Sequence, residues 1–516
     1  MKDRQGAAVL LGVLALGAIL AMTSCDLDAD LTFLGDGGNK DGTGIGPVAG
    51  IGSVIVNGVR YDAAGIGSGN FFDDHGRSKT DLMPGMMVKV TATGVNDVSG
   101  TGTATKIEVQ RHVDGPLDDD GVTLATNRMK VMGQTVVTDT TTAFANVIDL
   151  AAIDDLARAG KRPELEVHGT ADDDGTIHAT FVHMWFDNVV TGRDVQVKGT
   201  VANLNLAHTA FTLGTVSVSI PAPPSGLANG LFVEAKGAFR VSDNTLDATV
   251  VAIGDPAVGQ DAGDLVKAEG YVNRIVTGTQ FELIRADGPQ RIDWAPSTVA
   301  FRDGAASDLG VGARVVVEGK RNLDRTVAAK KISFRKPGNI RMDTTVTVPS
   351  SPPNSLRLFG KTVSVNSLTQ YKDSRGGLRT FGLADILEGD TLRVSAFLDN
   401  STGPDRIVAS RVERIDAFPT SDRHVLQGRV DSFDTVGPTY TVFGNPTTGL
   451  TVLSNVSTTS YANADGSAMT YVEFFALLAA DQGAGKSTVV RARGTAAAPG
   501  TSMVAKEVEV EPMIDN

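Results

Sequence analysis

Apolar residues in this chain recur at every second position in short runs, and the runs follow six spaced glycines: Gly85, Gly160, Gly230, Gly312, Gly389 and Gly485. Three and five residues beyond the glycine come Val88 and Val90, Val233 and Ala235, Val315 and Val317, and Leu392 and Val394, with polar residues at most positions between. Period two with one apolar face predicts a half-buried strand. About twenty residues after each glycine stands an alanine (Ala104, Ala179, Ala248, Ala329, Ala409, Ala505), followed three positions on by Ile107, Val182, Val251, Ile332, Val412 or Val508. Polar turns such as Asp172 to Gly175 and Ser242 to Asn244 lie between and carry the residue types that tolerate positive φ. An offset of three breaks period two, so alanine and aliphatic should face opposite sides unless a bulge intervenes.

One unit has been copied six times. Most copies open on Gly-x-Val, as in Gly199-Thr-Val201, Gly270-Tyr-Val272 and Gly428-Arg-Val430, and the first copy is aligned on Gly52-Ser-Val54. Short helical stretches, Ile148 to Ala159 or Ala384 to Leu387, precede the closing hairpin. The order of strand, strand, short strand, helical turn and hairpin predicts an all-β chain, a tandem array of about six small OB-like five-stranded barrels. Consecutive β-sandwiches are the alternative. The repeats are placed at 47–112, 113–190, 191–260, 261–337, 338–419 and 420–516, after a leader at 1–24 and a Gly- and Asp-rich tether at 25–46.

The start Gly52-Ser-Val-Ile-Val-Asn-Gly58, the glycine-led strand and Gly102-Thr-Ala-Thr-Lys-Ile107 resemble a bacterial domain-of-unknown-function family, number 5666, whose members are secreted or lipid-anchored and carry several copies. The resemblance spans nearly all of the chain beyond residue 47, is closest in the first unit and weakens in the last, where Thr470 to Gln482 lengthens the spacing. It implies a fold and a compartment and brings no catalytic residues.

The N-terminus agrees with that compartment. Lys2 and Arg4 precede an apolar run from Ala7 to Met22 that ends in Thr23, Ser24 and Cys25. The run is shorter than the roughly 20 residues a spanning helix needs and has the layout of a secretion signal. Small residues before a lone cysteine resemble a bacterial lipobox, which implies cleavage between Ser24 and Cys25 and a covalent diacylglycerol and N-acyl lipid on Cys25. Cys25 is the sole cysteine, so no internal disulfide competes for it.

Candidate chemistry is sparse. Gly483-Ala-Gly-Lys-Ser-Thr488 ends like a phosphate loop, but Gly485 is the sixth repeat glycine, so a strand is expected after it, where nucleotide binding needs a helix. A hairpin centred on Asp173 would set His168 across from His178, a weak zinc or copper pair, with His183 on the other face; the competing reading is an exposed polar face. The acidic turns at Asp73-Asp74, Asp118 to Asp120 and Asp172 to Asp174 lack calcium-loop spacing and suit solvated hairpins. Trp185 and Trp294 are assigned to packing, ahead of sugar stacking. No nucleophile elbow, His-Glu-x-x-His or cysteine nucleophile occurs, and a net charge of −13 opposes nucleic acid. The expectation is a non-enzymatic lipoprotein of the cell envelope, membrane-anchored, acting as a scaffold or binding array for a protein or glycan, with no nucleotide and no other cofactor. A metal-binding periplasmic protein using the His168/His178 hairpin and an envelope hydrolase without a recognisable motif are the alternatives.

Overall fold

Alternation and turn chemistry in the first unit give strands β1 (Lys40–Gly50), β2 (Val54–Val56), β3 (Val59–Asp62), β4 (Phe71–Phe72), β5 (Met87–Asn96) and β6 (Thr101–Val109). In this computed structural model β1 pairs antiparallel with β2 and β5, β2 with β3, and β5 with β6, while β3 runs parallel to β6. The cycle β1-β2-β3-β6-β5-β1 closes a five-stranded barrel with the OB plan, and β4 adds to the far end of β6. The same cycle closes in the units whose first strands begin at Val113, Asp194, Leu265 and His424. In the unit beginning at Ile340, four of the five pairings of the cycle are present among the described residues. The described residues are 40–512 except 51–52, 97–98, 191, 255–257, 260, 337, 348–352, 377–379, 400–405, 444–448 and 498–501. The leader, Ser24 and Cys25 lie outside them.

The tether ends earlier than its glycines suggest. Lys40 to Gly50 is a strand whose Ile45 and Val48 are fully buried. The opening Gly-x-Val of this unit is therefore Gly46-Pro-Val48, one strand ahead of the Gly52 alignment. Gly44 and Gly46 serve close packing: a Cβ on Gly46 would stand 2.5 Å from Asn57 Oδ1, and one on Gly44 would collide with the Tyr61 hydroxyl. Spaced glycines look alike in a linker and in a strand pressed against side chains.

The recurrent glycine ties two motifs together. Gly85 N–H donates to the Val48 carbonyl and Val48 N–H to the Met86 carbonyl, each at 2.8 Å. Gly230 with Val201, Gly312 with Val272 and Gly389 with Val346 make the same exchange. All six glycines have φ between +70° and +96°, where a Cβ is strained.

A bulge resolves the offset of three. In every unit the register slips opposite the alanine, at Ala92/Ala104, Gly169/Ala179, Gly237/Ala248, Gly319/Ala329, Ala396/Ala409 and Gly494/Ala505. The extra residue returns the aliphatic to the core side, so Ala104 and Ile107, Ala329 and Ile332, and Ala505 and Val508 are all buried.

Helices close two barrels. Asp149 caps Leu150–Arg158 by accepting from Ala152 N–H at 3.0 Å, and Leu150 and Ile153 are buried. The long spacing at Thr470 to Gln482 is the helix Tyr471–Gly483, opened by a Thr470/Glu473 capping box and anchored by Phe474, Phe475 and Leu478. A strand, Val489–Ala497, follows Gly485 as the repeat requires.

The barrels are fused edge to edge into three sheets. First strands join antiparallel between units 2 and 3, with Val113 opposite Val197, and between units 5 and 6, with Met342 opposite Leu426. Each of these residues lies four before its unit's Leu117, Val201, Val346 or Val430, so the two seams share one register. Units 1 and 4 join in parallel, Gly42 opposite Leu265 through Ile45 opposite Ala268.

Gly85 separates the strain of the motif from packing between units. Its Cβ would lie 2.5 Å from the Thr180 carbonyl of unit 2, whereas one on Gly160 meets open space at a similar φ. Gly160→Ala is expected to destabilise by about 1 kcal/mol, and Gly85→Ala by at least about 2 kcal/mol, both measured by urea unfolding. Equal losses would show that the unit 1/unit 2 contact does not constrain the glycine.

Candidate functional site

The two histidines singled out as metal ligands are not brought together. The turn spans Asp172 to Thr176, and with the bulge this sets His168 opposite Phe181 and His178 opposite Thr170. His168 is fully buried, not on an exposed face: its Nδ1 accepts from Met87 N–H of unit 1 at 3.2 Å, and Nε2 donates to Glu166 Oε1 at 2.6 Å. His178 bonds Asp172 at 2.8 Å and stacks on Tyr271 of unit 4, ring centroids 4.6 Å apart. The bulge also turns His183 onto the Glu166 side, contrary to simple alternation. Among the described residues no group of three or more His, Cys, Asp or Glu is arranged to hold a metal.

The acidic turn at Asp73-Asp74 sits at a junction of units 1, 2 and 3, where the Asp73 carboxylate is buried, contrary to a solvated turn, and Asp74 stays exposed. Asp73 takes Arg77 at 2.7 Å and Arg111 at 3.1 Å, and Asp74 takes Lys236 of unit 3. Arg77 also reaches Glu166 at 2.5 Å. Burial alone would raise the Glu166 pKa; His168 and Arg77 reverse this and hold it well below the usual carboxylate range. Trp185 packs against His75 and His183 with Arg77 and Arg193 over its ring, so its faces are occupied. The charged groups here pair with one another at short range, which makes the junction structural, although Arg111 Nε, Glu166 Oε2, His183 Nδ1 and Trp185 Nε1 are buried without a hydrogen-bond partner.

A cleft of about 240 Å³ between units 2, 5 and 6 is different. Its wall is the outer face of the fused sheet, where Arg411, Ser395, Arg341, Gln427, Arg491 and Glu509 are successive cross-strand neighbours. The row crosses six strands and the seam, about 24 Å at roughly 4.8 Å per strand. A parallel row carries Lys372, Glu413, Arg393 and Asp343. Unit 2 forms the facing side, fixed where Thr140 donates to the Gly338 carbonyl at 2.7 Å and Ser395 donates to the Thr140 carbonyl.

Charge in the cleft is unevenly matched. Asp343 takes Arg341 at 2.7 Å and Arg393 at 3.2 Å. Glu413 takes Lys372 at 3.1 Å, and burial, which would raise its pKa, is outweighed by Arg411 and Lys372, which hold it at about 2. Arg411, with 7% of its side chain exposed, makes no side-chain hydrogen bond among the described residues, and its ion contact with Glu413 is long at 3.6 Å. At the unit 6 end Arg491 pairs with Glu509 and, at 3.0 Å, with Glu511, whose pKa burial pushes up to about 7.

The sequence profile of the domain of unknown function DUF5666 matches residues 114–183, 269–333 and 345–413, which are units 2, 4 and 5. The chain carries DUF5666 domains in tandem. The first unit, expected to be the nearest to the family, is not among the matched segments, although it shares the strand cycle. No curated protein matches this DUF5666 chain. Four solved chains do, among them one titled "drosophila Unr CSD456", at 14% identity over 43% of this chain and 97% of the other, with a TM-score of 0.11, too low to support any argument.

Sequence reasoning missed Arg411 and its neighbours because they sit at outward positions of strands, where charge is ordinary. Only the seam and the overlying unit 2 make that face a cleft. The signal available was the repeat alignment: Arg411 occupies the position that Phe181 fills in unit 2, since each pairs with the residue just before the bulge, Ser395 or His168.

Histidine burial in this DUF5666 protein sets a pH dependence. Burial, with Lys198 nearby, lowers the His112 pKa to about 3, and its Nδ1 has no hydrogen-bond partner. The unfolded chain binds a proton below about pH 6.5 that the native state refuses, so this stability is complete above 6.5 and is lost as pH falls toward 3. His112 should account for a loss of about 2 kcal/mol between pH 7 and pH 5. Urea unfolding of His112→Phe at both pH values should show a shallower decline than the parent; identical slopes would refute a buried neutral His112.

Proposed function

We propose that this DUF5666 protein is a non-enzymatic lipoprotein of the cell envelope. It is anchored by diacylglycerol and an N-acyl chain on Cys25, and it works as a rigid binding scaffold for a glycan or protein partner. The observation that carries the binding role is the cleft shared by units 2, 5 and 6. Three barrels contribute to it, and sheet fusion at the seam together with the Thr140 contacts holds them in one geometry. Its lining includes neither histidine nor cysteine, and its charged groups alternate along a strand-crossing row, which suits recognition of a polar surface better than turnover. The anchor is supported by the apolar run ending at Cys25, and more than one acyl chain gives stable membrane attachment.

The anchor is tested by growing cells with labelled palmitate. The parent should take up label and sediment with membranes; Cys25→Ala should do neither while keeping the parent's thermal unfolding curve. Label persisting in the Cys25→Ala protein, or absent from the parent, would sink the lipoprotein reading. Incubation with peptidoglycan and envelope polysaccharides should give retention without released products; reducing ends accumulating over time would make the chain a hydrolase.

A further inference from the structure

Resting on the binding-scaffold reading, we infer that the cleft between units 2, 5 and 6 takes an acidic saccharide, a uronate residue linked to a neutral sugar, with the carboxylate at Arg411 and Arg393 and the neutral ring toward Gln427 and Arg491. A guanidinium more than nine-tenths buried with no hydrogen bond, its Nε wholly shut off from solvent, is rare, because buried donors normally find a replacement for water. Arg411 is in that position at the floor of an open cleft. Around it Lys372, Arg393 and Arg411 all bear on Glu413, and Arg341 and Arg393 on Asp343, while Arg341 also faces Glu511 and Asp149. Three cations sharing Glu413 leave room at this end for an added anion, and guanidinium forks match a carboxylate in shape.

The other end of the row argues for a sugar over a free anion or a polyanion. Arg491 is already engaged by Glu509 and Glu511, so no cation is left there for a second negative charge. Gln427 is 5% exposed and sits on the seam between Arg341 and Arg491. Amide, guanidinium and carboxyl groups alternating at strand spacing offer donors and acceptors to hydroxyls, and Phe144 and Ile148 of unit 2 supply apolar surface for a ring face. A charge at one end and hydroxyls beyond it describe a uronate followed by a neutral residue.

The test is calorimetric titration of the full chain in detergent with an aldobiouronic acid, galactose, acetate and inorganic phosphate at constant ionic strength. The disaccharide should bind at least tenfold more tightly than galactose, acetate or phosphate. Arg411→Met should weaken it at least tenfold while unfolding at the same or a higher temperature than the parent, since a buried unsatisfied charge has been removed. Gln427→Ala should weaken the disaccharide about threefold and leave acetate unchanged. Acetate or phosphate binding as tightly as the disaccharide would reduce the cleft to an anion site and overturn the inference. Galactose binding as tightly would overturn it too, while leaving a glycan-binding scaffold intact. So would Arg411→Met binding like the parent, or unfolding at a lower temperature with binding lost only in proportion to the unfolded fraction.

Discussion

The bulge opposite the returning alanine governs the structure, because the rest of each barrel wall takes its facing from it. Without the extra residue, Ile107, Ile332 or Val508 would point outward whenever Ala104, Ala329 or Ala505 pointed in. Burying such a side chain is worth roughly 1.5–3 kcal/mol, against the roughly 0.5–1 kcal/mol a strand glycine costs. The bulge brings two strands so close that a Cβ on Gly169 would strike the His178 carbonyl. Only small residues stand at that position: glycine in four units, Ala92 and Ala396 in the other two. The turn glycine acts at the other end of the same strand, pinning it to the first strand by paired hydrogen bonds. Two small residues per unit thus set where the strand begins and where it changes face.

Fusing the barrels turns their outer faces into interiors. Positions that alternation assigns to solvent become buried, and the charged residues there must find partners. Glu269, 1% exposed, lies between Arg314 at 2.7 Å and Arg335 at 3.5 Å, and buried Arg285 reaches Asp287 at 2.9 Å. Such pairs contribute little net stability over apolar packing, because desolvation offsets attraction. Breaking one leaves a bare charge, so they fix how one barrel meets the next while the aliphatic interiors supply the driving force for folding.

The barrels were legible in the sequence because their signals are local: period two, turn residues at intervals, and a glycine that must have positive φ. The three-residue offset even marked the place of the bulge. Where the reading failed, the missing information was a distance along the chain. Gly44 and Gly46 looked like a linker since Tyr61 and Asn57, which press on them, lie on later strands. His168 was matched with His178 by counting from a turn, and one inserted residue shifted the count. Neither the parallel seam of units 1 and 4 nor the cleft over the seam of units 5 and 6 leaves a mark in either strand alone, since each is made by residues far apart in sequence.

The repetition supplies its own comparison for the cleft. Units 2 and 3 present the same face as units 5 and 6, built on a seam of the same register, with His183, Glu166, Asp114, Gln196 and Lys236 in successive strands. There unit 1 packs onto the face. Arg77 enters from unit 1 to meet Glu166, Arg193 meets Asp114 and Glu164, and Phe181 packs into the unit 1 core. At units 5 and 6 the covering barrel is unit 2, and it stands off the sheet. The position of Phe181 is held by Arg411, which has gained a charge and found no close partner. One face, used twice, is sealed where its charges are matched and open where they are not, and the unmatched charge lies where the opening is.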